Sequence, residues 1–121
     1  MTTQPDPRPR IRDDATAKTL DGATCRSCGL HTLSTAQRCP ECRGELFPAS
    51  FGPHGVVWSS TVVRVPVPGR TPPYPMSYVD LTDGPRVLCH LAGPAEVAPV
   101  GASVRLCGAT AEGDLLAEVA R

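Results

Sequence analysis

Hydrophobic and polar positions alternate most clearly in the C-terminal two-thirds of the chain. Over Gly55 to Val65, Val57, Thr61, Val63 and Val65 stand against Val56, Trp58, Ser60 and Arg64. This imperfect period of two marks a strand with one face toward a core, long enough to curve through two sheets. Met76 to Leu81 and Arg86 to Leu91 flank Thr82-Asp83-Gly84-Pro85. An Asp-Gly pair between two apolar runs predicts a hairpin, because both residues tolerate the left-handed backbone of a tight turn. Ser103 to Cys107 and Leu115 to Val119, joined by a polar turn around Glu112-Gly113-Asp114, complete five strands. Five short antiparallel strands, the first long and bent, with a break between the third and fourth, describe a small Greek-key barrel of the OB type. The break, Ala92 to Val100, carries Pro94 and Pro99 and is too short for a substantial helix.

The first third has a different texture. Residues 1–14, with Pro5, Pro7 and Pro9 and alternating Arg8, Arg10 and Arg12, hold too little apolar content to pack and are expected to be a mobile tail. Ala15 to Leu20 predicts a short helix leading into the segment Gly22 to Phe47, and Pro48 to His54 reads as a linker. The expected organisation is therefore a tail over 1–14, a short helix and ribbon over 15–50, and a barrel over 51–121.

Within the ribbon stand Cys25-Arg26-Ser27-Cys28 and Cys39-Pro40-Glu41-Cys42, with ten residues between the pairs. A Cys-x-x-Cys turn directs two sulfurs toward one point, and two such turns supply the four-thiolate tetrahedral shell of a structural Zn²⁺. Gly29 and Gly44 follow the two pairs and permit the backbone to approach the thiolates. His31 lies near enough to be considered as a ligand, but four cysteines already complete the shell, so it is read as a surface histidine. Six cysteines would also allow three disulfides. The opening Met1-Thr2-Thr3-Gln4-Pro5-Asp6 lacks the apolar run of a secretory signal, and no run is long enough to span a membrane, so a reducing cytoplasm is expected and favours metal.

Charge removes other possibilities. In 121 residues, 12 Lys plus Arg balance 12 Asp plus Glu, so no global field draws in nucleic acid or an anionic membrane. Aromatic residues make up 4% and do not alternate with basic ones, which leaves nucleic-acid binding by a zinc-ribbon/OB protein as the alternative reading rather than the leading one. Iron in the same thiolate shell, for electron transfer, is a third. No serine sits in a nucleophile elbow, and His54 and His90 are the only histidines besides His31. His90 is expected to be a solvated strand residue, and Cys89 and Cys107 to be core thiols. Asp80, Asp83 and Glu96 form no recognisable carboxylate pair and read as solvated positions.

One stretch is built to present a surface. Pro66 to Pro75 is stiffened by prolines and carries Arg70 and Tyr74 near its centre. Prolines reduce the entropy lost on docking and a tyrosine gives rigid amphipathic contact, which makes Trp58, Arg70, Pro72, Pro73 and Tyr74 the candidate partner or ligand surface. A barrel connection stiffened for stability alone is the competing explanation.

Taken in order, Cys25, Cys28, Cys39, Pro40 and Cys42, then Gly55-Val56-Val57-Trp58-Ser59-Ser60-Thr61-Val62-Val63, Pro72-Pro73-Tyr74, Val79-Asp80-Leu81 and the Gly101 to Val104 turn resemble a known family. The chain resembles, over residues 15–121, the rubredoxin-like zinc-ribbon plus OB-fold proteins associated with acyl-CoA metabolism, catalogued as domain of unknown function thirty-five. It differs in lacking a longer aromatic-bearing N-terminal helix and in having Ser34-Thr35-Ala36-Gln37 where family members commonly carry prolines. The resemblance implies a non-catalytic subunit that pairs with a thiolase-like enzyme, a lipid-transfer-type aldolase or an enoyl-CoA hydratase, with acyl-CoA at the shared interface. Steroid or lipid catabolism is the pathway it favours.

Overall fold

A computed structural model describes residues 9, 11–13, 18–33, 37–93 and 98–120. It contains strands β1 (Ile11–Asp13), β2 (Lys18–Cys25), β3 (His31–Thr32), β4 (Leu46–Phe51), β5 (His54–Val63), β6 (Tyr74–Leu81), β7 (Arg86–Leu91), β8 (Ser103–Ala109) and β9 (Leu115–Val119). Among the described residues there is no helix.

The C-terminal five strands close into a barrel in the order β5-β6-β7-β9-β8, with β5 pairing back onto β8. Four of the contacts are antiparallel, and β7 with β9 is parallel. This is the OB barrel expected from the strand pattern, with closure removing the exposed edges an open sheet would leave. Strand β5 bends where its register slips between Val57 and Ser59, which lets one strand pair with β6 along its length and with β8 at its start. The hairpin falls where Asp-Gly stands. Asp83 adopts a φ of 56° and Gly84 N–H donates to Leu81 C=O at 3.0 Å.

The ribbon is a small sheet in which β2 is flanked by β1 and β3 on one edge and by β4 on the other. Three expectations change here. Lys18 to Leu20 form the start of β2 rather than the end of a helix. A segment of one and a half turns gains little helical stabilisation, whereas pairing Leu20 with both Ile11 and Phe51 satisfies its backbone and buries the side chain completely. Ile11–Asp13, assigned to the tail, is paired strand, and Ile11 packs against the core. The remaining residues of 1–14 other than Pro9, and Ala15 to Ala17, lie outside the described residues, as does the Pro94 to Val97 part of the break.

The third change concerns the linker. Pro48 to Phe51 belong to β4, and only Gly52 and Pro53 separate it from β5. Phe51 and Leu20 join Val57, Val79, Leu81, Val104 and Leu106 in one buried cluster, so ribbon and barrel share a core. Gly84 makes this possible, because a Cβ there would sit 2.9 Å from the Phe51 ring. Each such fully buried side chain contributes about 1.5–3 kcal/mol relative to exposure.

Candidate metal centre and partner surface

Strand β2 delivers Cys25 at its buried end, and the two knuckles close by the same hydrogen bonds. Gly29 N–H donates to Cys25 C=O and Arg43 N–H to Cys39 C=O, both at 2.9 Å, while Cys25 N–H and Cys39 N–H reach Leu30 and Gly44 carbonyls. Closing such tight turns requires left-handed backbone, found at Gly29 (φ 79°) and Arg43 (φ 64°). The four sulfurs lie within 4.8 Å of one another, with Cys25 to Cys42 at 3.5 Å and Cys28 to Cys39 at 3.6 Å. Four thiolates about 2.3 Å from one tetrahedral ion stand about 3.8 Å apart, so the donor set fits a four-coordinate metal. Backbone N–H groups of Glu41 and Gly44 donate to Cys39 and Cys42 sulfur at 3.4 and 3.3 Å, which stabilises thiolate charge. Gly44 is needed for that approach: a Cβ would come within 3.1 Å of both Cys25 and Cys42 sulfur.

Crowding four thiols splits their acidities. The Cys28 N–H, against desolvation and with help from the Ser27 N–H, holds the Cys25 thiol down at about 6. At Cys28 the Leu30 N–H favours the thiolate, but desolvation and the neighbouring thiols outweigh it and push the group up to about 12. Four thiolates cannot coexist here without a cation to neutralise them. His31 stays outside the cluster, with Nδ1 3.1 Å from Thr24 Oγ1 and its ring edge-on to Phe51.

The proposed surface residues divide into two groups. Arg70 and Tyr74 are brought together, the guanidinium 5.8 Å from the ring centre. Both are partly used within the fold. Arg70 Nη2 is 3.3 Å from Glu112 and 3.7 Å from Asp114, pinning loop 64–73 to turn 110–114, and Tyr74 packs on the His90 ring with centroids 5.6 Å apart. His90 is thereby 8% exposed, which corrects the expectation of a solvated strand residue: the loop lies across the outer face of β7. Burial, aided by the Arg70 charge and opposed by Asp114 and Glu112, pushes its pKa below the usual value. Pro72 is half-buried and Pro73 exposed, and neither lines the cleft that the loop forms over the sheet.

Trp58 belongs to the second group. Displaced outward at the β5 bulge, it is 50% exposed, and the Arg86 guanidinium stacks 3.6 Å from its ring centre. Asp80 fixes that guanidinium through Nε at 2.6 Å and Nη2 at 3.2 Å. Tyr78 sets its ring at 76° to Trp58, and Leu88 pairs with Tyr78 across β6 and β7, giving a row of three large exposed side chains. Arg86, Tyr78 and Leu88 were not singled out from sequence, although the hairpin register that pairs Asp80 with Arg86 and Tyr78 with Leu88 was available to find them. Of the other acids, Asp83 occupies the hairpin turn and Glu96 lies outside the described residues. Cys89 is fully buried, and desolvation followed by the nearby Cys107 pushes its thiol up to about 12, so it behaves as a small hydrophobe. Cys107 is only half-buried, at the β8 bulge, where its thiol donates to Leu116 C=O at 3.5 Å.

The comparisons agree with this geometry. Residues 50–109 match the family described as ChsH2, C-terminal OB-fold domain. Residues 50–109 form an OB-fold domain of this ChsH2-type family. A solved Ltp2-ChsH2(DUF35) aldolase chain resembles this chain with a TM-score of 0.64 and 27% identity, covering 84% of this chain and 85% of the other. Benzoylsuccinyl-CoA thiolase subunit BbsA of Thauera aromatica is 30% identical over 81 residues, 66% of this chain. The match spans 56% of that subunit's own length. No helix of the described residues is long and apolar enough to cross a membrane.

Proposed function

We propose that this chain is a non-catalytic accessory subunit of an acyl-CoA-processing enzyme, of thiolase-like or lipid-transfer aldolase type, with a structural Zn²⁺ in the four-cysteine centre. The observation that carries the reading is the match, over 84% of the chain, to a protein solved as an Ltp2-ChsH2(DUF35) aldolase. The thiolase-subunit relative supports the same class of partner. Steroid or lipid catabolism is the pathway we favour.

The surface supports the reading physically. Trp58, Tyr78 and Arg86 are the residue types that dominate interface energetics, and Arg86 is already fixed by Asp80 and by stacking on Trp58, so little rotamer entropy remains to be lost on docking. The Arg70 and Tyr74 loop forms the margin of that surface. The zinc centre would shape the ribbon that shares its core with the barrel, through the coupling of metal binding to folding.

Co-purification of the tagged chain from its native host, with partners identified by mass, tests the proposal. Recovery of a thiolase or aldolase subunit in constant ratio is the expected result. A chain that stays alone and binds single-stranded oligonucleotide with steep salt dependence overturns it in favour of a nucleic-acid-binding protein.

A further inference from the structure

The two knuckles are copies of one turn, set face to face. In each, the backbone N–H four residues on donates to the carbonyl of the first cysteine, Gly29 to Cys25 and Arg43 to Cys39, both at 2.9 Å. The first cysteine of each is buried, Cys25 at 0% and Cys39 at 1% exposure, whereas the second, Cys28 or Cys42, is exposed. Two sulfur contacts cross between the knuckles, Cys25 to Cys42 at 3.5 Å and Cys28 to Cys39 at 3.6 Å. Each contact therefore joins a buried sulfur to an exposed one.

That arrangement separates the two roles of thiol oxidation. An oxidant arriving from solvent meets the exposed sulfur, and the buried sulfur of the opposite knuckle stands beside it, placed to attack. With hydrogen peroxide, the Cys42 thiolate takes one oxygen and becomes a sulfenic acid, while the O–O bond breaks and hydroxide leaves. The Cys25 thiolate then attacks the Cys42 sulfur, so that an S–S bond forms, the S–O bond breaks and a second hydroxide leaves. Two protons from solvent turn both hydroxides into water. Cys28 and Cys39 react in the same way with a second peroxide, and the tetrahedral shell is gone.

We propose that the four-cysteine centre is a peroxide-responsive staple, in which oxidation releases the metal and puts the cross-knuckle disulfides Cys25–Cys42 and Cys28–Cys39 in its place. These pairs join residues 17 and 11 apart in sequence, whereas a bond within a knuckle joins neighbours at i and i+3. A longer closed loop removes more freedom from the unfolded chain. Only the cross pairs thus hold together the sheet that carries Leu20 and Phe51 into the shared core. Cys89 is fully buried and stays reduced. None of this depends on an enzyme partner.

The test oxidises the zinc-loaded full chain with a slight excess of hydrogen peroxide, follows zinc release with a chromogenic chelator, alkylates the remaining thiols in denaturant, and digests with trypsin and Glu-C. Cleavage after Arg26, Arg38 and Glu41 places the four cysteines on separate fragments, so mass spectrometry reads the pairing directly and no variant is needed. The Cys25 fragment should be joined to that of Cys42, and the Cys28 fragment to that of Cys39, with Cys89 alkylated. The oxidised chain should melt at least about 5 °C above chain stripped of metal and kept reduced. Dithiothreitol with zinc should restore the starting midpoint. Disulfides within a knuckle, sulfinic or sulfonic acid at Cys28 or Cys42 without a disulfide, or an oxidised chain that melts with the stripped one each overturns the proposal. Zinc content is measured on the same sample before oxidation, so a chain that takes up no zinc counts against the structural-zinc reading, while the pairing still decides this one.

Discussion

Arg86 lies flat on Trp58, its guanidinium carbon 3.6 Å from the ring centre, and is held there by two hydrogen bonds to Asp80. One residue comes from the β7 start and the other from a bulge in β5, so the pair exists because both strands flank β6. A cation fixed on a half-exposed indole is an anchor prepared before any partner arrives.

Trp58→Ala should weaken association with the enzyme partner by about 2 kcal/mol, roughly thirtyfold, since a central aromatic anchor is lost. Its thermal midpoint should stay within a few degrees of wild type, because the ring is half exposed. Co-purification yield and a thermal melt on the same samples separate the two effects. An unchanged yield removes Trp58 from the interface.

Removal of the metal should destabilise the ribbon and, through the core it shares with the barrel, the whole molecule. Cys39→Ala deletes a buried donor and should abolish stoichiometric zinc, measured by metal analysis. Gly44→Ala keeps all four sulfurs but places a methyl within 3.1 Å of two of them, so zinc affinity should fall at least tenfold with the ligand set intact. Wild-type affinity in Gly44→Ala would mean that the turn yields without disturbing the sulfurs.

Phe51→Ala should destabilise the whole molecule, by about 3–5 kcal/mol, because the ring belongs to the core shared by ribbon and barrel. A single cooperative denaturation transition shifted as a unit is the expected result. Loss of ribbon signals at a lower denaturant concentration, with the barrel transition unmoved, would show that the modules are energetically separate.

His90 sets an acid limb. Its folded pKa is lowered from 6.5 chiefly by burial, so the unfolded chain binds more protons between that value and the folded one, and stability rises with pH across this window. Stability attributable to the neutral ring is complete above about pH 6.5 and declines as pH falls below it. His90→Gln should flatten this slope, seen as a wild-type-minus-variant difference in thermal midpoint that shrinks between pH 7 and 5. A difference constant with pH contradicts the buried, neutral imidazole.

Local chemistry settled what short-range rules govern. The two Cys-x-x-Cys turns, the Asp83-Gly84 hairpin and the strands Arg86–Leu91 and Leu115–Val119 were legible, because knuckle geometry, left-handed turn residues and period-two alternation act over a few residues. What sequence left undecided depends on long-range pairing. Lys18 to Leu20 became strand because Leu20 meets Ile11 and Phe51, and Pro48 to Phe51 became strand because β2 supplies an edge. His90 is buried by a loop that Arg70 pins to Glu112 and Asp114, forty-odd residues away in sequence, and Trp58 found Arg86 rather than the proline loop. Each of these outcomes depends on which surfaces the closed barrel and shared core bring together, a constraint that no local propensity encodes.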